Sequence, residues 1–388
     1  MPLTEKKPGK KRILVCPLDW GLGHAARDVA VISRLLDLRH EVILAGDGAS
    51  LDLLHVEFPE LETLPFRSAV RIRYSMRMPA WMKITLLSPL LLFEVFSEHY
   101  RMRRILSNIK PDVIISDNRY GLWNRKIMSI LITHQLNIRL PWFARFLEYP
   151  ACLIIRAFIS RFDRCWIPDY PGEKNLSGVL SHRWGIPRNA VFIGPISRFA
   201  GSAGKILGQP TNRSDVGEPA TLSHRFILLS ARPVDLVILL SGPEPQRSRL
   251  QKIVLKQALS LESSCVILQG LPGSYKRTDL TSKVTMYSHL PAADLGNLIK
   301  SAENVICRAG YTGIMDLALM RKKSMIIPTP GQTEQEYLAD YLAGRGMFLT
   351  CSQDELDLES ALEDLSDFEP ELNFPGDGLL ARETEKLS

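Results

Sequence analysis

The amino-acid sequence predicts an α/β protein whose two halves face each other across a cleft, and three observations carry that expectation. Short apolar runs recur with helical stretches between them, the pattern of buried parallel strands joined by helices. A segment rich in Gly, Ser, Pro and Asn, residues 194–224, breaks this rhythm and separates two series of such units. Polar residues collect just after the apolar runs, where open α/β sheets bind ligands.

In chain order, residues 12–17 (RILVCP) read as a buried strand and DWGLGH as a loop. Residues 25–36 read as a helix, with Val29, Ile32, Leu35 and Leu36 at helical spacing, and residues 40–45 as a second strand. That unit opens a parallel sheet. Residues 112–116 make a strand ending at Asp117, and residues 128–133 one ending at His134. The second series comprises strands at 226–230, 236–241, 264–269, 284–287, 304–307 and 324–328. The divisions expected are 1–200, a first domain; 201–224, a linker; 225–365, a second domain; and 366–388, an acidic tail whose helix packs back on the first.

Composition narrows the function. With 45% hydrophobic and 23% charged residues, the 388-residue chain is an ordinary globular protein. The first twelve residues are basic without an apolar run, so they read as a solvated tail and predict a cytoplasmic protein. No two of the six cysteines lie closer than 13 positions, which rules out a CxxC pair and predicts reduced core thiols. No D-x-D carboxylate pair is present, so the expected chemistry uses no metal. Residues 351–388 hold 12 acidic and 2 basic side chains; the other 350 therefore carry +16 of the net +6. A basic body without a nucleic-acid module points to phosphorylated ligands or an anionic membrane surface, and no nucleic acid. Residues 79–100 and 139–162 mix Trp, Phe and Leu with Arg and Lys; each fits a membrane-interface helix or, alternatively, a core-facing helix with a basic outer face. An apolar run of about ten residues, broken by Pro89, is too short to span a bilayer.

Two loops bear chemistry. Gly21-Leu22-Gly23-His24-Ala25-Ala26 fits the loose G-x-G-x-x-G/A pattern, with Asp47 placed as a ribose-binding acid would be, so an NAD(P)-binding protein is one reading. The bulky His24 favours another: a general base taking a proton from a hydroxyl, oriented by Asp117 or, second, by Asp19. In the second loop, residues 305–307 form a strand, Arg308-Ala309-Gly310 turn the backbone, and Thr312 caps a helix whose free N–H groups can hold a pyrophosphate.

These residues carry a resemblance. The chain resembles GT-B glycosyltransferases of family 28, which includes the peptidoglycan lipid-intermediate N-acetylglucosaminyltransferase, and more distantly UDP-glucuronosyltransferases. The resemblance implies two Rossmann-like domains, acceptor-binding over 1–200 and nucleotide-sugar-binding over 225–365. It places Gly21, Gly23 and His24 in a Gly-rich loop and matches His134-Gln135-Leu136-Asn137 to an acceptor loop through His134 and Asn137. The family's R-S-G-A-x-T-x-x-E signature corresponds to Arg308, Ala309, Gly310, Tyr311 and Thr312 through Asp316, which takes the acid's place on the donor ribose. Glu334-Gln335 corresponds to the pair holding sugar hydroxyls, and His289-Leu290 to the nucleobase turn. Ser241-Gly242-Pro243 replaces a Gly-Gly-Ser loop; proline lacks the N–H that would bind phosphate, leaving Arg247 or Ser241 to compensate. The implied enzyme inverts configuration, needs no cofactor or metal, and moves a hexose or N-acetylhexosamine from a UDP-sugar to a lipid-linked or membrane-surface acceptor at the inner membrane face. A UDP-N-acetylhexosamine 2-epimerase and a noncatalytic membrane scaffold are the other readings.

Overall fold

In a computed structural model of the chain, the described residues are 9–68, 80–199, 233–274, 276–374 and 378–387, with side chains excepted at 80–88 and 91. The expected linker 201–224 and strand 226–230 lie outside them, as do the basic residues 1–8 and Pro79.

The first half contains strands β1 (Arg12–Pro17), β2 (Glu41–Gly46), β3 (Glu62–Pro65), β4 (Val113–Asp117), β5 (Met128–Ile132), β6 (Arg164–Ile167) and β7 (Ala190–Phe192). They form one parallel sheet in the order β3-β2-β1-β4-β5-β6-β7. Helices α1 (Leu22–Asp37), α2 (Gly48–Glu57), α3 (Ala80–Ile109), α4 (Glu148–Ile159) and α5 (Val179–His182) connect them. Ile13, Leu14 and Val15 are fully buried because a parallel sheet is covered on both faces.

The second half repeats the plan with β8 (Val234–Leu239), β9 (Cys265–Leu268), β10 (Arg277–Asp279), β11 (Val284–Tyr287), β12 (Ala302–Arg308), β13 (Ser324–Ile327) and β14 (Leu349–Thr350). Their order is β10-β11-β9-β8-β12-β13-β14, and β10 alone of these runs antiparallel. Its helices are α6 (Gln246–Ala258), α7 (Ala292–Ser301), α8 (Tyr311–Leu319), α9 (Thr333–Ala343) and α10 (Leu358–Asp367).

A last helix, α11 (Leu379–Glu385), leaves the second half and lies against the first. Leu387 is fully buried in the cluster of Val29, Ile32 and Trp166, while Arg34 and Arg164 pair with Glu385 and Glu383 at 2.5 and 3.2 Å. Burying one such leucine contributes about 1.5–3 kcal/mol.

Both sheets reverse strand order at their centre, β1 against β4 and β8 against β12. The crevice at such a point is open to a ligand because the neighbouring connections leave in opposite directions. His24 and Asp117 follow β1 and end β4; the turn into α8 follows β12.

Candidate active site

α1 begins at Leu22, earlier than the expected residue 25, so His24 lies in the first helical turn rather than in a loop. Gly21, extended, is the residue before the helix. His24 keeps 20% of its side chain exposed and brings Nδ1 to 2.8 Å from Asp117 Oδ1. Asp117, fully buried, also receives Arg27 Nε at 2.5 Å on Oδ2 and Arg27 Nη2 on Oδ1. Arg27 follows His24 by three positions, one helical turn, so both point at the same carboxylate. The His24 Nδ1 contact with Arg27 Nη2 is longer, 3.0 Å. We therefore assign Nδ1–H to Asp117, leaving the Nε2 lone pair to accept a proton. Burial alone would raise Asp117; Arg27 and then His24 outweigh it and hold the carboxyl well below its ordinary range.

Asp19, the alternative partner, is used elsewhere: Arg119 Nη2 lies 3.2 Å away and Ser68 Oγ 2.5 Å. Asp28 is fully buried with no hydrogen-bond partner for either oxygen among the described residues; burial and the nearby Asp117 push its carboxyl well above the usual value. Sequence reasoning missed Arg27 and Asp28, since charges on an amphipathic helix read as a solvated face. The one signal was the three-residue spacing from His24.

Across the seam, α8 starts after Gly310, and no side chain caps it. The expected cap, Thr312, instead donates its hydroxyl to the Gly23 carbonyl at 2.9 Å, tying α8 to α1. Among the described residues no acceptor is bonded to the amides of Tyr311, Thr312 or Gly313. A Cβ placed on Gly310 would meet nothing within 4 Å, so the approach there is open, although Tyr311 and Thr312 are buried. Such a terminus attracts an anion through unpaired N–H groups and the helix dipole.

His134 also reaches the seam. Its ring stacks on Tyr311 with centroids 4.0 Å apart, and Nε2 lies 2.8 Å from Glu334 Oε1. Gln135 donates to the other Glu334 oxygen. Burial would raise the Glu334 carboxyl, but the bond and charge of His134 hold it below its ordinary value. Gln335 accepts from the Thr329 amide at 2.9 Å, bracing the loop that leads into α9.

Several expected ligands have other duties. Arg308 is 2% exposed and donates to the Gln246 and Pro328 carbonyls and to Gln353, fixing main chain beneath the site. Asp316, expected on a ribose, is 2% exposed and accepts Ser197 Oγ at 2.6 Å and Arg198 Nε at 3.3 Å, so it binds the chain leaving the first half. Asn137 is buried against the Val179 and Leu180 carbonyls. Arg247 is held by Glu244, Gln251 and the Gln269 carbonyl. His289 and Leu290 are buried in the turn before α7. Gly242 is exposed with φ +101, a conformation glycine adopts freely. Asp47, the ribose acid of the NAD(P) reading, pairs with Arg67 at 3.1 Å.

The basic aromatic segments do not turn wholly inward. Phe93, Trp142 and Phe146 are 64, 79 and 74% exposed, beside exposed Phe96, Phe143, Tyr149, Leu153 and Ile154. Phe96 meets Phe158 edge-on, which joins α3 and α4 into one surface. Among the described residues no helix is long and apolar enough to cross a membrane.

Residues 246–377 match the glycosyltransferase family 28 C-terminal domain. A UDP-N-acetylglucosamine--N-acetylmuramyl-(pentapeptide) pyrophosphoryl-undecaprenol N-acetylglucosamine transferase of Natranaerobius thermophilus is 25% identical over 359 residues, 89% of this chain and 87% of that protein. Its namesake from Chlorobium luteolum is 36% identical over 72 residues, 18% of this chain; that match spans only a fifth, 20%, of the relative's length. The glycosyltransferase SnogD from Streptomyces nogalater shares the fold at a TM-score of 0.57 and 13% identity, covering 98% of this chain and 99% of that one. The second-half domain, the relatives and the two-lobed architecture agree: this chain is a GT-B glycosyltransferase carrying a family 28 C-terminal domain.

Proposed function

We propose that the chain moves a hexose or N-acetylhexosamine from a UDP-linked donor to a hydroxyl of a lipid-linked acceptor, inverting the anomeric carbon without a metal. The observation that carries this reading is the uncapped start of α8, with unpaired amides at Tyr311, Thr312 and Gly313, meeting the first turn of α1 that bears His24. In the reaction, the acceptor hydroxyl gives its proton to His24 Nε2 and its oxygen bonds the anomeric carbon. The bond from that carbon to the diphosphate breaks with its electron pair. Asp117 offsets the imidazolium charge, and the α8 amides receive the charge building on the diphosphate. Attack from the face opposite the leaving group gives inversion. The donor and acceptor named for the two N-acetylglucosamine transferases support the UDP-sugar and the lipid-linked acceptor.

UDP should raise the melting temperature more than GDP, dTDP or NAD does, since a ligand of the native state alone stabilises by mass action. His24→Ala should lose about 10²–10⁴-fold in turnover while keeping the UDP shift; unchanged turnover removes His24 from the reaction. The exposed aromatic surface with Arg145 and Arg161 supports docking on an anionic bilayer at the cytoplasmic face. Vesicles containing phosphatidylglycerol should sediment the protein, and replacing Trp142 and Phe146 by Ser should release it.

A further inference from the structure

Of the two faces of the seam, the second half is expected to bind the donor, yet the carboxylate placed for the donor's sugar is held from the first half. His134 is 4% exposed and follows β5. Its carbonyl accepts the Ser181 hydroxyl at 2.6 Å, and its ring lies 11° from parallel with the Tyr311 ring. Arg27 Nη1 faces Nδ1 at 3.4 Å, and arginine only donates. The Glu334 carboxylate, held below its ordinary value, only accepts, which puts the hydrogen on Nε2, 2.8 Å from Oε1, and leaves the Nδ1 lone pair toward Arg27. Burial and the Arg27 charge both disfavour a second proton on the ring, although Glu334 favours it, and the balance lies below the ordinary histidine value. The groups facing this ring are Arg27 and His24 from α1, Tyr311 from α8 and Glu334 from α9.

We propose that His134 is a specificity-determining positioning residue: through its Nε2–H, with Gln135 on the second oxygen, the acceptor-side half aims the Glu334 carboxylate at the hydroxyls of the donor sugar. This rests on the nucleotide-sugar reading above and deepens it. A carboxylate has about four lone-pair sites, and the two protein bonds leave room for two sugar hydroxyls. The two donors fix the plane of the carboxylate, so hydroxyls of one orientation meet lone pairs and their epimers do not. A free glutamate at the start of a helix would turn to follow either. Arg27 links this aim to proton removal, since the guanidinium facing His134 Nδ1 also grips the Asp117 carboxylate behind His24.

Three variants separate the bond from the packing. His134→Phe keeps a ring against Tyr311 and loses the donor; His134→Gln keeps a side-chain N–H for Glu334 and loses the stack; Glu334→Gln removes the charge from a third-exposed position that tolerates change better than the buried ring does. Calorimetric binding of UDP and of UDP-N-acetylglucosamine, each measured on the full chain, isolates the sugar. His134→Phe and Glu334→Gln should weaken the UDP-sugar by about 10–100-fold, the range of a hydrogen bond to a charged group, and leave UDP within about twofold. His134→Gln should recover most of the loss. Discrimination between UDP-N-acetylglucosamine and its galacto epimer should fall in His134→Phe and survive in His134→Gln. Parallel weakening of UDP and UDP-sugar, or no change in either, overturns the proposal while the nucleotide-sugar reading stands. A wild-type protein that binds neither ligand defeats that reading and this proposal with it. A His134→Phe chain that does not fold leaves Glu334→Gln to decide by the same ratio.

Discussion

Arg27 holds the centre of the site. Its guanidinium forks onto Asp117 and reaches the Nδ1 of both His24 and His134. Arg27→Met leaves the Asp117 charge buried with only His24 for support, and removing one partner of such a pair destabilises by about 3–5 kcal/mol; the urea midpoint should fall accordingly, and an unchanged midpoint would show the pair to be dispensable. Asp117 was legible in the sequence because it ends an apolar run, and His24 because it follows the Gly-rich turn after another; strand ends in such folds face the crevice. Arg27 was not, since Asp117 and His134 lie 90 and 107 positions away and the three-residue spacing from His24 is its one local trace. The same reason hid the burial of Asp316, tied to Ser197 and Arg198, 119 and 118 positions earlier.

At the level of elements, the central strands were legible and the edges were not. β1, β4, β5 and β9 are largely apolar runs, as expected of strands buried on both faces. β3, β7, β10 and β14 are two to four residues long and mostly part-exposed, so their pairing depends on the neighbouring strand. The early start of α1 was hidden by Gly21 and Gly23, poor helix formers that read as loop. The turn from β11 to α7 carries a testable charge effect. Burial and Arg198 lower His289 to about 4 from an ordinary 6.5. The unfolded chain therefore binds a proton more readily than the folded one below pH 6.5, so stability falls as pH drops from about 6.5 to about 4. The loss at the acid end amounts to roughly 3 kcal/mol. A His289→Gln chain should show a flatter pH dependence of its unfolding free energy over that interval; an identical slope would remove His289 as its source.

At the scale of the whole molecule, the two halves meet along a closely bonded seam. Tyr311 donates to the Pro168 carbonyl at 2.9 Å, Tyr337 accepts the Val179 amide at 2.8 Å, and Thr333 donates to the Arg139 carbonyl at 2.8 Å. Gly178, at φ +52, has no side chain where Tyr337 and Tyr341 press in; an added Cβ would sit 3.0 Å from Tyr341 Cζ and closer still to the Tyr337 hydroxyl. Gly178→Ala should wedge the halves apart, lowering the melting temperature and raising the radius of gyration in small-angle scattering; an unaltered profile would mean the contact is incidental. Two halves were readable in the sequence, but their fit was not, because the seam is built from single residues of separate elements. The Thr312 hydroxyl on the Gly23 carbonyl also sets the start of α8 against the turn of α1 that carries His24, so any motion drawing the halves apart breaks that bond, and its return restores the alignment of the two turns.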